Sequence, residues 1–276
     1  EEQKKKYLPK LVTGELVSAI AMTEPGVGSD LQSITTTALK DGNGYRLNGS
    51  KTYISNGQTA DFIIVVAKTD PNERAKGISL MLLETEGAEG FERGRKLDKI
   101  GMDAADTSEL FFDDVFVPSD NVLGGVEGKG FYQLMGELPQ ERLVIAMGAA
   151  TAIEKALDTT VQYVKDRKAF GQTIWDFQNT QFVLADLKAK GTAGRVFVND
   201  CIAKLLKGEL DVGTASMAKY WLTELQGEVV DKCLQLHGGA GYINDYPIAK
   251  LYRDSRITRI FGGSNEVMKM LIARGM

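Results

Sequence analysis

The chain has 276 residues, 43% hydrophobic and 25% charged, with a formal net charge of −4. These totals describe an ordinary globular protein, long enough for one large domain or two smaller ones. They exclude a disordered tail and a fibre, and the scattered charge excludes a nucleic-acid footprint, which needs a concentrated basic patch.

No apolar run approaches membrane-spanning length, and the opening Glu1-Glu2-Gln3-Lys4-Lys5-Lys6 is too charged for a signal peptide. Residues 1–15 read as the tail of a helix ending in a turn at Gly14, as if cut from something longer. From Leu16 to about Pro118 the pattern is short β-rich runs broken by glycine and Asn/Asp turns. Thr35–Leu39 and Tyr45–Gly49 flank Asp41-Gly42-Asn43-Gly44, a hairpin signal. Lys51–Ser55, Phe62–Ala67, Ile78–Leu83 and Glu109–Val117 read as further strands. Strands in series without intervening helices predict an antiparallel barrel or sandwich.

After the glycine cluster Gly124–Gly130 the apolar period becomes helical. Helices are expected over Phe131–Val164, interrupted at Pro139, then over Asp176–Leu206, Val212–Leu236, Pro247–Ile260 and Glu266–Ala273. Asp166–Ile174 reads as a polar loop. Long helices with short connections predict an antiparallel bundle. The fold class is therefore α+β, divided as residues 1–15 (a helical remnant), 16–120 (β) and 121–276 (helical bundle).

Composition limits the chemistry. His237 is the single histidine, and Cys201 and Cys233 have no metal-ligand spacing. A metal site and a Ser-His-Asp triad are not expected, and a reducing compartment is. Catalysis must then use carboxylates, backbone dipoles or a cofactor. The stretch Gly136-Glu137-Leu138-Pro139-Gln140-Glu141-Arg142 places two carboxylates one helical turn apart where strands give way to helices. Either could be a general base, or an ordinary acidic helix start.

Five other stretches carry possible ligand chemistry. Thr23-Glu24-Pro25-Gly26-Val27-Gly28-Ser29-Asp30 follows a strand, and its glycines let backbone N–H groups approach an anion. In Tyr53-Ile54-Ser55 the aromatic ring and the hydroxyl share one side of a strand. Arg167-Lys168-Ala169-Phe170-Gly171 offers an arginine suited to phosphate. Gln235-Leu236-His237-Gly238-Gly239 ends one helix, and Phe261-Gly262-Gly263-Ser264-Asn265-Glu266 opens another with exposed N–H groups. Read singly, each is equally a turn, a cap or a solvated loop.

In this order and at these separations the motifs resemble the acyl-CoA dehydrogenase family, over essentially the whole chain. Glu137-Leu138-Pro139-Gln140-Glu141-Arg142-Leu143 is most similar to its long-chain branch. The resemblance implies FAD, an acyl-CoA substrate, electron-transferring flavoprotein as acceptor, and a homotetramer or homodimer in bacterial cytoplasm or mitochondrial matrix. It implies that Ile20, Met22, Thr23, Gly28 and Ser29 line the flavin and its pyrophosphate. Tyr53 (more often Trp in the family), Ile54 and Ser55 would flank the isoalloxazine. Arg167, Phe170 and Gln178, with Gln235, Leu236, His237, Gly238 and Gly239, would reach the adenosine part of FAD in a neighbouring subunit. Ser264, Asn265 and Glu266 would touch FAD again. Ser29, Gly77, Ile78 and Tyr132 would contact acyl-CoA, as would Pro139, Gln140, Arg142 and Gly263.

Many family members carry the base as a Glu immediately before the glycine that is Gly263 here. This sequence has Gly262 at that position, and the resemblance moves the base to Glu141, with Glu137 as rival. The Gly262 N–H would help bind the thioester oxygen. The implied reaction is α,β-dehydrogenation to the trans-2-enoyl-CoA. An oxygen-using acyl-CoA oxidase and a non-catalytic flavin or acyl-CoA scaffold are the alternatives. Family members also carry an N-terminal helical domain of roughly a hundred residues, of which this chain shows only the last turn.

Overall fold

The computed structural model describes residues 1–276 and divides the chain into two compact units. The first holds Glu1–Lys99 and Asp103–Gly136, the second Ile100–Met102 and Glu137–Met276.

The first unit is built on a seven-stranded sheet: β1 (Ser18–Ala21), β2 (Thr37–Asp41), β3 (Gly44–Ser55), β4 (Phe62–Lys68), β5 (Ile78–Glu84), β6 (Phe91–Lys96) and β7 (Thr107–Pro118). The order is β1-β4-β2-β3-β7-β6, with β5 also on β4. Most neighbours are antiparallel, as expected. The differences are β1 and the end of β2, which both run parallel to β4. The β6 strand, polar and split by Gly94, carries no alternation and was not anticipated. The two short strands expected over 45–55 form one strand, β3. Gly49 does not end it, because at φ 145° it lies against Thr36, whose Oγ1 would be 2.5 Å from a Cβ.

Alternate residues of these strands, among them Leu47, Ile63, Val65, Met81, Leu110 and Val115, form a closed apolar core. Each such side chain stabilises the fold by about 1.5–3 kcal/mol. Helix α1 (Glu2–Thr13) ends at Gly14 in the left-handed conformation, as the sequence suggests. Its Tyr7 packs at a tilt on Phe62, ring centroids 4.3 Å apart, and donates to Glu84 at 2.8 Å.

The second unit is helical. It contains most of α2 (Gly130–Asp166), with α3 (Gln178–Leu206), α4 (Val212–His237), α5 (Pro247–Ser255) and α6 (Asn265–Arg274). Pro139 does not interrupt α2, which continues through it. The loop 166–174 contains a two-stranded hairpin, β8 (Lys168–Ala169) and β9 (Gln172–Thr173), turning at Phe170 and Gly171 with φ of 52° and 81°. Asp211 caps α4 by accepting from the Thr214 N–H at 2.8 Å, and Ser264 caps α6. The core is the shared apolar face of α2, α3, α4 and α5, with Leu143, Ile153, Leu187, Leu222, Val229 and Ile248. Both cysteines are buried there and free.

Candidate active site

In the helical unit the nominated base and the glycine turn are linked through α2. Glu141 lies one turn before Ile145 on the same helix face. Ile145 packs directly on Gly262: a Cβ there would come within 2.3 Å of its Cδ1. Gly262 and Gly263 both have positive φ, 64° and 90°, a backbone that side-chain-bearing residues adopt only at a cost. The absence of a carboxylate at 262 thus has two physical reasons: the backbone is left-handed, and Ile145 fills the space.

Glu141 keeps one side open to solvent. Protein packed around the carboxylate nevertheless raises its pKa, the charge of Glu137 pushes the same way, and Arg142 partly opposes both. Arg142 is 5% exposed. Its Nη1 meets only the Ser216 hydroxyl, at 3.5 Å, and its Nε has no partner. A buried guanidinium with unused donors is a site for an acceptor that the protein does not itself supply.

The turn before α6 is donor-rich. The N–H groups of Gly262, Gly263 and Ser264 give no bond to any backbone carbonyl, and at α6 they add to the positive end of a helix dipole. Asn265 does not face a ligand as expected. Its amide is 1% exposed and fully used, donating to Thr223 and Glu224 and accepting from Lys219. Glu266 is exposed in the first turn of α6.

At the opposite end of α4, Gln235 is exposed and Gly238 and Gly239 have open space beside them. Leu236 is partly buried in the helical core. His237 departs from expectation. It is 4% exposed, stacked on Tyr163 with centroids 4.2 Å apart, and its Nδ1 lies 2.9 Å from the Cys233 carbonyl. Burial lowers its pKa, so it is a neutral core residue. Arg167 and Gln178 are exposed, and Phe170 stands out almost completely, at 95%.

In the β unit, the loop after β1 is clamped to β3. Glu24 and Val27 exchange backbone bonds of 2.9 and 3.1 Å, and Thr52 donates to the Thr23 carbonyl at 2.9 Å. Beneath the loop is a buried ion pair that sequence reading missed. Lys51 Nζ donates at 2.9 Å to both Glu24 Oε1 and the Met22 carbonyl. Glu24 also accepts from the Thr35 N–H and hydroxyl and the Thr36 N–H. Burial alone would raise the Glu24 carboxyl, but Lys51 and these donors outweigh it and hold it at about 2. Burial also takes Lys51 down, to about 8, with Glu24 opposing; both groups remain charged at neutral pH.

The clamp leaves Ile20, Gly28 and Ser29 exposed and Met22 and Thr23 half-buried. Beside it, β3 bulges between Lys51 and Ile54. The bulge carries Tyr53 at φ 60° with its ring 68% exposed, and Ser55 is exposed two residues on. A left-handed tyrosine on a bulge is strain of the kind found at ligand sites. Ile54 turns into the core, leaving only its backbone on the outer side.

Gly77 and Ile78, expected to contact acyl-CoA, are buried. A Cβ on Gly77 would meet the Asp70 carbonyl at 2.2 Å, and the Gly77 carbonyl already accepts from Thr69 and Asp70. Gly77 thus closes the loop before β5. Tyr132 and Gln140 are exposed and Pro139 half-buried.

A curled sheet followed by a helical bundle, in which Glu141 lies one turn before the residue that packs on the Gly262-Gly263 turn, defines an α+β protein. Residues 128–276 match the family model for the acyl-CoA dehydrogenase C-terminal domain and residues 19–115 that for its middle domain, and the chain belongs to the acyl-CoA dehydrogenase family. It is 53% identical over 276 residues to the mitochondrial long-chain specific acyl-CoA dehydrogenase of Mus musculus, covering 99% of this chain and 64% of that protein. The chain therefore spans less than two thirds of that relative. A crystal structure of acyl-CoA dehydrogenase from Geobacillus kaustophilus superposes with a TM-score of 0.97 at 53% identity, covering 100% of this chain and 72% of that one. Butyryl-CoA dehydrogenase from Megasphaera elsdenii gives 0.94 at 39%, covering 99% and 71%.

Proposed function

We propose that the chain carries the catalytic residues of an FAD-dependent acyl-CoA dehydrogenase, converting an acyl-CoA thioester to the trans-2-enoyl-CoA. The observation that supports this most is Glu141, a carboxylate with a raised pKa one turn from the residue that seats Gly262.

The residues present suit FAD. Tyr53 offers an exposed ring and Ser55 a hydroxyl beside it, while Thr23, Gly28 and Ser29 offer backbone and hydroxyl donors on a clamped loop. Arg167, Gln178, Gly238 and Gly239 supply what a pyrophosphate and a ribose need: a fork of N–H groups, an amide and unobstructed backbone. FAD, when bound, supplies the hydride acceptor. The chain's own residues do the rest. The Gly262 N–H, held by its left-handed backbone, donates to the thioester oxygen and stabilises charge that develops as the α-carbon loses its proton. Glu141 takes that proton, and its raised pKa brings it closer to the working pH, as a general base requires. Arg142 leaves buried donors for the substrate or cofactor.

The assembly proposed is a homotetramer or homodimer, supported by the exposed Phe170 and Tyr242, which a subunit contact would cover. Electron-transferring flavoprotein is the proposed acceptor, and bacterial cytoplasm or mitochondrial matrix the proposed compartment. No helix is long and apolar enough to cross a membrane.

The test is Glu141→Gln in the FAD-loaded protein. Acyl-CoA should no longer bleach the flavin anaerobically, with the rate down at least about 100-fold and the bound flavin spectrum retained. Near-normal bleaching would sink the assignment.

A further inference from the structure

The turn that carries Gly262 rests on an unusual support. Lys219, on α4, is fully buried, with 0% exposure. A buried ammonium is costly unless its protons are all placed. Here Nζ donates to the Gly263 carbonyl at 2.8 Å and to Asn265 Oδ1 at 2.9 Å, and no carboxylate bonds to it. Asn265 is held in turn by Thr223, at 3.0 Å, and Glu224, at 2.7 Å. The Thr223 hydroxyl also bonds the Lys219 carbonyl, at 2.9 Å. The strut thus runs from one helix face to the first residues of α6.

Its consequence is geometric. Every peptide in the chain is trans, so in each peptide unit the C=O and the following N–H point opposite ways. When Lys219 draws the Gly263 carbonyl toward the buried face, the Ser264 N–H of the same peptide must face the other side. Two positive-φ glycines in succession are otherwise the most mobile backbone available. Without a fixed carbonyl, Gly262 and Gly263 could swing and take their N–H groups out of line.

We propose that Lys219 is a positioning residue for the Gly262-Gly263-Ser264 turn, its ammonium pinning the Gly263 carbonyl inward so that the turn's N–H groups stay aimed at cofactor and thioester. Burial and the nearby charge of Arg142 bring the Lys219 pKa down, to about 8, against the opposing charges of Glu224 and Glu266. The inference rests on the dehydrogenase reading above, and the experiment separates the two.

The full chain is reconstituted with FAD, and wild type is compared with Lys219→Met, which keeps length and removes the donors. Three quantities are read: the FAD dissociation constant by flavin fluorescence, the visible flavin spectrum, and kcat and KM with one acyl-CoA that wild type turns over. Misaimed donors should lower kcat about 10- to 100-fold, leave KM within about threefold because substrate binding elsewhere is intact, weaken FAD about tenfold and shift the flavin bands. A merely structural lysine would lower Tm without this kcat-selective loss or the spectral shift. Wild-type protein that binds FAD but never oxidises acyl-CoA defeats the dehydrogenase reading. Active wild type with Lys219→Met at near-normal kcat and spectrum overturns the positioning role alone. If Lys219→Met does not fold, Thr223→Val decides. It removes only the hydroxyl bracing Asn265, and a fall in kcat at unchanged KM supports the strut, whereas unchanged kcat overturns it.

Discussion

At the scale of single residues, the two carboxylates of α2 have separate parts. Glu141 is nominated as the base, and Glu137, one turn earlier, acts on it through charge. The base works only when deprotonated, so activity rises with pH through its raised pKa. Glu137→Gln removes one cause of the rise, and the acidic limb of the kcat/KM profile should move to lower pH with little change at the plateau. An unmoved limb would mean the two side chains do not communicate. Gly262 and Ile145 are coupled by contact. Gly262→Ala combines a left-handed β-carbon with overlap on Ile145 and should cost about 2–4 kcal/mol. Adding Ile145→Val deletes the obstructing Cδ1 and should recover about 1 kcal/mol or more as a coupling energy in a double-mutant cycle of Tm or denaturant data. Simple additivity would contradict the contact.

Elements place these residues, and here the sequence was legible unevenly. The helices were readable from their apolar period, as over Val212–Leu236, and the structure closes them with caps such as Asp211 before α4 and the left-handed Gly208 after α3. The motif loops were readable from their glycines, of which Gly171, Gly238, Gly262 and Gly263 are required by positive φ, whereas Gly26, Gly28 and Gly239 are not. What escaped lay in contacts between distant positions. Nothing local shows that Lys51 pairs with Glu24, or that Lys219 reaches Gly263. The one available signal was a lysine amid the apolar stripe Ala215, Ala218, Leu222, and a lone lysine there reads as a solvated edge. His237 and Asn265 differ in the opposite direction: polar residues within a ligand motif, their side chains bond internally. The Glu24–Lys51 pair makes its own forecast for the β unit. Glu24 has a folded pKa below its unfolded one, so its stabilisation is full above about pH 4.5 and is lost as pH falls toward 2. Glu24→Gln leaves Lys51 buried without its partner and should cost about 3–5 kcal/mol at neutral pH. The variant should also lose part of the wild type's steepening of unfolding in acid, followed by circular dichroism. Equal acid sensitivity would argue against the pair.

For the molecule as a whole, the apolar cores of the two units coexist with apolar side chains left in water. Phe170, 95% exposed, belongs to a motif that the resemblance directs to a neighbouring subunit, and Tyr242, 87% exposed, lies three residues beyond another, Gln235–Gly239. Phe170 sits on a left-handed turn of a two-residue hairpin, a geometry that projects its ring outward, with only an edge-on contact to Phe177 at 6.3 Å between centroids. Phe170→Asp should therefore lower the assembly state in sedimentation velocity and weaken FAD retention together. A variant that stays assembled with FAD tightly bound would show that the ring is not a subunit contact.

The contact between Ile145 and Gly262 has an evolutionary consequence. The two positions occupy one volume, so a lineage cannot move its base from α2 to the turn by a single exchange; the helix must first give up a methyl group. Family members with glutamate at the position of Gly262 are therefore expected to carry a smaller residue, such as valine or alanine, at that of Ile145, and those with the base on α2 to keep isoleucine or leucine. The covariation of these two sites would record the route by which one reaction came to have two alternative bases.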